Sequence, residues 1–201
     1  MNKRTEFLKA AIFDKQVGAV MKSSKYVVET ALKSVDVRRL HYVVEYGPGD
    51  GAMTRKLLQS LPSESKILVI ESNANFVKIL NKIRDPRLEI IHGNIQETIP
   101  LLKKYGFGRV DAVFSSTPLS LLPPNERDVI LKNTLLLLNA GGAFIIFHQY
   151  SLLMIGQLKK YFDVVSIRFE LRNILPCFII YAKKRYDTPV ARPSSAKAEH
   201  G

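Results

Sequence analysis

The residues best suited to chemistry stand close together in the run Val43–Val44–Glu45–Tyr46–Gly47–Pro48–Gly49–Asp50–Gly51–Ala52. An apolar stretch enters Gly-x-Gly-x-Gly and passes straight into a helical pattern. Glycine lets a chain turn sharply and lets a ligand approach the backbone with no Cβ in the way. The free N–H groups of a helix start attract a carboxylate or a phosphate. The next apolar run ends in Glu71, 20 residues after Gly51, with Ser72 behind it. An acid at that distance suits the two ribose hydroxyls of an adenosine ligand. The third run ends at His92, Gly93, Asn94 and Ile95, where Asn94 offers a polar edge to adenine and Ile95 an apolar flank to its ring. With Ser115 at the end of the fourth run, the candidate cofactor set is Glu45, Gly47, Gly49, Gly51, Glu71, Ser72, Asn94, Ile95 and Ser115.

The details of the loop narrow the ligand. A dinucleotide turn expects G-x-G-x-x-G, but here the third glycine comes one residue early and Glu45 precedes the first. A carboxylate there suits a ligand carrying an ammonium and a sulfonium, as in S-adenosylmethionine, better than it suits a pyrophosphate. No G-x-x-x-x-G-K-[ST] run exists, so a phosphate-binding P-loop is excluded. Cys177 is the single cysteine and has no His or Cys at zinc-ligand spacing, so no metal is expected and a reducing cytoplasm fits.

These positions need a scaffold. From His41 onward apolar runs alternate with helical patterns, the sign of a mostly parallel sheet covered on both faces. Strands are expected at 42–46, 66–71, 88–92, 110–115 and 143–148, with helices at 52–60, 73–83, 96–104 and 125–138. The last of these helices should end at Gly141–Gly142. After a helix at 152–161 come strands at 164–171 and 178–183. A parallel crossover needs about a dozen residues, so this pair must be an antiparallel hairpin. The fold class is therefore α/β: a Rossmann-like, seven-stranded, mostly parallel sheet with an antiparallel last strand and helices on both faces. Residues 1–40 form an N-terminal helical segment, 41–184 the main domain, and 185–201 a tail rich in Pro, Ser, Ala and Lys that suits disorder.

Glu45-Tyr-Gly-Pro-Gly-Asp-Gly51 resembles motif I of the class I S-adenosylmethionine-dependent methyltransferases, with Glu71 and Asn94 at that class's acidic and adenine-contact positions. Residues 7–183 are most similar to one branch, the bacterial phospholipid N-methyltransferases that act on phosphatidylethanolamine. Val-Gly-Ala-Val-Met-Lys-Ser-Ser at 17–24 is similar to that family's Gly-Ala-Val-x-Pro-Ser-Ser, and Ser-Ser-Thr-Pro-Leu at 115–119 to its Ser-Gly-Leu-Pro-Leu. Phe147-His-Gln-Tyr150 and Asn173-Ile-Leu-Pro176 also have counterparts. Departures stand at Lys22, Ser116–Thr117 and Cys177, and they bear on the acceptor more than on the cofactor. The resemblance implies methyl transfer to a headgroup amine, with S-adenosylhomocysteine as product. The rRNA adenine dimethyltransferases share the glycine loop, but they carry an Asn/Asp-Pro-Pro-Tyr-like motif after the fourth strand. Here that place reads Ser115–Ser116–Thr117–Pro118–Leu119, without an amine acceptor or a ring to stack a flipped base.

Topology places Ser116, Thr117, His148, Tyr150 and Asn173 at one sheet edge, around the methyl to be transferred. Tyr150 would orient the amine, His148 would accept its proton, and Asn173 would line the same space. The chain has 30 basic and 18 acidic residues, a net charge of +12, which favours an anionic partner. Phe7, Leu8, Ala11 and Ile12 form an apolar stripe among Lys3, Arg4, Lys9 and Lys15, which suits peripheral docking of a cytoplasmic protein on an anionic membrane. The same segment would equally serve as a lid or pack on the core. Three other readings stand beside this one: an rRNA adenine N6-methyltransferase-like enzyme, a soluble small-molecule methyltransferase, and a catalytically silent lipid-binding protein. The oligomeric state is not written in the sequence.

Overall fold

The computed structural model describes residues 24–149, 152, 154–172 and 176–185. The stripe at residues 7–12, Tyr150, Asn173 and the tail from 186 lie outside the described residues. Seven strands form one sheet: β1 (Tyr42–Tyr46), β2 (Lys66–Glu71), β3 (Leu88–His92), β4 (Val110–Ser115), β5 (Leu138–Gln149), β6 (Val164–Glu170) and β7 (Cys177–Lys183). Their order is β3-β2-β1-β4-β5-β7-β6. The first five are mutually parallel, and β7 runs antiparallel to both β5 and β6. The closing hairpin folds back so that β7 inserts beside β5 and leaves β6 at the sheet edge.

Among the described residues six α-helices cover the sheet: α1 (Lys25–Leu32), α2 (Ala52–Ser60), α3 (Ala74–Leu80), α4 (Thr98–Lys104), α5 (Pro124–Leu137) and α6 (Met154–Tyr161). Alternation along the buried strands divides their side chains between two cores. Val44, Tyr46, Val113 and Phe144 face Leu102, Ile130, Leu131, Met154 and Leu158 of α4, α5 and α6. Val43, Ile67, Phe114 and Phe147 face Val27, Ala31, Met53, Leu57 and Leu80 of α1, α2 and α3. Apolar residues on both faces of every central strand thus produce a three-layer α/β/α sandwich. Local chemistry sets the helix starts. The Ser24 hydroxyl accepts from Val27 N–H, and the Asn73 side chain accepts from Asn75 N–H at 2.9 Å. Pro123 and Pro124 open α5.

Several boundaries differ from the sequence expectation. Gly141 and Gly142 do not cap α5, which ends at Leu137 and passes directly into β5. They carry a bulge instead: Val110 pairs with Leu138, but Ala112 already pairs with Ala143. A Cβ on Gly142 would lie 2.9 Å from the Asn139 carbonyl, so the close approach explains the glycine. The helix expected over 73–83 stops at Leu80, and the one expected over 96–104 starts as a 3-10 turn at Ile95–Glu97.

Candidate active site

The chain moves outward from β1 through β2 to β3, then returns to place β4 on the other side of β1. Such a reversal opens a crevice at the carboxyl ends of the strands, where α/β sheets of this kind bind ligands. A cleft of about 250 Å³ lies there, lined by Gly47 after β1, Ser72 after β2, Gly93 to Gln96 after β3, and Thr117 and Pro118 after β4. Five of the residues picked from the sequence, Gly47, Ser72, Asn94 and Ile95 for the cofactor and Thr117 for the acceptor, thus line one space. Ile70 and Ile130 supply apolar wall, and Gln96 and Glu126 supply polar groups.

The glycine turn is built as its spacing implies. Gly47, Gly49 and Gly51 have φ of 63°, 57° and 81°, all left-handed. Their environments differ. A Cβ at Gly47 would meet Thr117 Oγ1 at 2.7 Å, and one at Gly51 would meet Leu80 Cδ2 at 2.9 Å. A Cβ at Gly49 would meet nothing within 4 Å. Gly47 is therefore required by the β4 turn, Gly51 by the packing of α2 on α3, and Gly49 only by its backbone conformation. The Ser116 hydroxyl donates to the Gly47 carbonyl and ties the two turns together.

Glu71 is buried, and its carboxylate accepts from Gly49 N–H at 3.0 Å and from Asn73 N–H at 2.8 Å. Each oxygen keeps a lone pair, so the group can order the loop and still accept hydroxyl protons. The His92 ring donates from Nε2 to the Ser72 carbonyl at 3.1 Å, joining the turns after β2 and β3. Asn94 is exposed and accepts from Gln96 N–H at 3.0 Å, while Gln96 donates to Glu126 at 2.9 Å.

Glu45 and Ser115 sit deeper. Glu45 is fully buried beneath the loop, where one carboxyl oxygen accepts from Thr54 Oγ1 at 2.6 Å and the other, Oε1, has no partner. Burial pushes this carboxyl up to about 8; the Thr54 hydrogen bond pulls it down, and the charges of Glu71 and Asp50 push it up. It therefore holds its proton at neutral pH. The Ser115 hydroxyl is buried without a partner on the opposite face, beside Tyr46. Of the candidate cofactor residues, Glu45, Gly49, Gly51, Glu71 and Ser115 do not line the cleft itself. On the acceptor side, His148 lies in β5, where pairing with β7 shifts between Ile146–Ile180 and Gln149–Phe178. One extra residue is accommodated there, an irregularity common beside active sites. Sequence reading missed Gln96, Glu126 and Ile130 as cleft residues. Gln96 follows Ile95 directly and Glu126 stands in the first turn of α5, but only the fold brings them together.

A narrow cleft at the switch point, with an acid fixed at the end of β2 and a cramped three-glycine turn, fits the adenosine half of a cofactor. The sheet order and the hairpin complete the comparison. This is the class I methyltransferase fold. The chain aligns with a Burkholderia thailandensis 1,6-didemethyltoxoflavin N1-methyltransferase solved with S-adenosylhomocysteine, at a TM-score of 0.64 and 15% identity over 91% of this chain and 87% of that one. Residues 13–105 match the ribosomal RNA adenine dimethylase family. An ornithine lipid N-methyltransferase of Singulisphaera acidiphila is 20% identical over 162 residues, which are 80% of this chain and 84% of that protein. A ribosomal RNA small subunit methyltransferase A of Blochmanniella pennsylvanica is 28% identical over 92 residues, 46% of this chain and 34% of that protein. The chain thus spans most of the lipid enzyme's length and about a third of the rRNA enzyme's.

Proposed function

We propose that this protein transfers a methyl group from S-adenosylmethionine to an amine carried by a polar lipid, such as phosphatidylethanolamine. The observation that carries the choice of acceptor is the turn after β4. Ser115, Ser116, Thr117 and Pro118 stand where a base-methylating enzyme needs an amine acceptor and a stacking ring. The match to the ribosomal RNA adenine dimethylase family covers residues 13–105, ahead of that turn. A ribosomal RNA small subunit methyltransferase A of Geobacter metallireducens aligns with 64% of the chain and 49% of its own length, whereas the lipid N-methyltransferase aligns with 80% of the chain and 84% of its own length.

S-adenosylmethionine supplies an electrophilic methyl on a sulfonium. Glu71 would accept the ribose hydroxyls, Asn94 and Ile95 would flank the adenine, and the turn at Gly47–Gly51 would leave room for the amino-acid end. A primary amine has a pKa near that of lysine, about 10.4, so presenting it neutral at pH 7 costs roughly 4–5 kcal/mol. A hydrogen-bond acceptor and a desolvated setting offset that cost, and in-line placement supplies most of the remaining assistance. Tyr150, His148 and Asn173 are the residues we assign to this work, with Tyr150 orienting the amine and His148 accepting its proton.

Incubation with methyl-labelled cofactor and, in parallel, phosphatidylethanolamine, an ornithine lipid, rRNA and small amines tests the reading. Label in the organic extract is expected. Label confined to RNA, or to water-soluble amines, overturns it.

A further inference from the structure

The edge strand β6 presents an apolar stripe that the core does not absorb. Ile167, Phe169 and Leu171 alternate along one face and are 40%, 53% and 68% exposed. Exposure rises toward the carboxyl end of the strand. Because β7 is antiparallel to both neighbours, β6 lies parallel to β5, and its end stands on the same sheet edge as the cleft. Phe169 is stiffened by Phe178, with ring centroids 4.8 Å apart, and Phe178 pairs in turn with Gln149 at the end of β5. Three residues beyond Gln149, Leu152 is 48% exposed. The stripe therefore adjoins the side of the fold from which an acceptor would enter.

Its surroundings are cationic and amphipathic. Arg168 is exposed on the other face of β6. Arg172 follows the stripe directly, its guanidinium paired with the buried Glu170 at 2.8 Å and 4.5 Å from the Tyr26 ring centroid, and the exposed Lys25 lies over the same ring at 5.2 Å. Aromatic rings and long basic side chains beside exposed apolar groups suit a bilayer interface, where stems and rings sink among the headgroups and charges meet lipid phosphates. The exposed Lys25 and Arg168, together with the net charge of +12, favour an anionic surface over a second copy of this chain.

We infer that the carboxyl end of β6, with Phe169 and Leu171 as its apolar anchors, docks the protein on an anionic lipid bilayer and turns the mouth of the cleft toward the headgroups. The inference rests on the proposed lipid-amine acceptor for its purpose, and on the exposed stripe and its cations for its location. It places a membrane contact in the folded domain, apart from the apolar stripe at residues 7–12.

The test is sedimentation of the full chain with phosphatidylcholine vesicles, with and without phosphatidylglycerol. The protein should sediment with the anionic vesicles at low salt and be released as salt rises. Phe169→Ser combined with Leu171→Ser should weaken that binding by more than about tenfold, since two partly exposed apolar side chains no longer enter the bilayer. Circular dichroism and calorimetry with S-adenosylhomocysteine should match the unaltered chain, which shows that folding and the cleft are intact. Unaltered vesicle binding by the double variant overturns the inference, as does a native chain that ignores anionic vesicles. A native dimer that the double variant splits in light scattering also overturns it, because the stripe would then be a subunit interface. Methylation of a short-chain lipid amine dispersed in detergent separates the two proposals. The double variant should retain it; a native chain that docks through the stripe but methylates no lipid keeps the docking and removes the acceptor.

Discussion

The Gly49 N–H donates to the Glu71 carboxylate at 3.0 Å, so the glycine turn after β1 and the acid at the end of β2 form one unit. The second oxygen takes Asn73 N–H at the start of α3. Replacing Glu71 removes both anchors and the group we propose as the acceptor for ribose. Hydrogen bonds to a charged group contribute about 1.5–3 kcal/mol each. Glu71→Ala should therefore weaken binding of S-adenosylhomocysteine by about a hundredfold or more, with Glu71→Gln intermediate. Isothermal calorimetry reads this directly, and a change under about threefold would detach Glu71 from the cofactor.

The three glycines should respond differently to alanine. Each substitution places an L-residue at positive φ, which costs about 1–2 kcal/mol. At Gly49 that is the whole cost to folding, because a Cβ meets nothing within 4 Å. Gly47→Ala adds a collision with Thr117 Oγ1 at 2.7 Å, and Gly51→Ala one with Leu80 Cδ2 at 2.9 Å. Denaturant unfolding should rank Gly49→Ala as the mildest of the three. Thr117→Ala should restore part of the stability lost in Gly47→Ala but none of that lost in Gly51→Ala. Equal losses at all three positions would contradict this account.

Much of this was legible in the sequence, for identifiable reasons. The strand Lys66–Glu71 is buried on both faces, so its uninterrupted apolar run from Ile67 to Ile70 marks its limits to the residue, and Val110–Ser115 is marked as well despite Asp111. The hairpin followed from chain length alone. Gly141–Gly142 misled because a glycine pair after a helix usually ends it. Here the pair serves a bulge that depends on the Asn139 and Asp111 carbonyls, and no local pattern reports those contacts. The cleft was half legible. Residues at strand ends, such as Ser72 and Asn94, follow from topology, whereas Glu126 and Ile130 enter from α5 across the crevice. The depth of Glu45 was hidden as well, because motif spacing does not reveal which face of β1 carries its side chain.

Glu45 gives the stability of the protein a pH dependence of definite sign. In the unfolded chain its carboxyl titrates at its ordinary value of 4.5, and in the fold burial raises it to about 8. The native state then binds the proton more tightly, so this group lowers stability as pH climbs from about 4.5 to about 8 and adds no further loss above that. Glu45→Gln keeps an oxygen for the Thr54 hydroxyl and cannot ionise. The stability of the variant relative to the native chain should rise across that window by an amount on the order of a few kcal/mol. Thermal melts of both proteins at several pH values check it; parallel curves would mean that Glu45 ionises freely in the fold.

Glu170 carries the opposite sign, at the junction of α1 with the β6–β7 hairpin. Its carboxylate accepts from Arg172 Nε at 2.8 Å, from Arg172 Nη2 at 2.9 Å, from Arg172 N–H at 3.0 Å and from Thr30 Oγ1 at 2.8 Å. The Arg172 side-chain hydrogen bonds lead in holding this carboxyl down to about 2, against burial, which raises it; the Arg172 N–H and the Thr30 hydroxyl add to the lowering. The stabilisation is thus complete above the ordinary value of 4.5 and is lost as pH falls through about 2. Glu170→Gln should destabilise the protein at neutral pH by about 1–3 kcal/mol, since Arg172 and Thr30 lose a charged partner. The gap between variant and native chain should narrow as pH falls from about 4.5 toward about 2, because the native carboxyl itself becomes neutral. Arg172→Lys separates the two roles of the arginine: a lysine keeps the charge but loses the planar fork and the stack on Tyr26. A stability at neutral pH that stays within about 0.5 kcal/mol of the native chain in both variants would show that α1 is held to the hairpin by its apolar face alone.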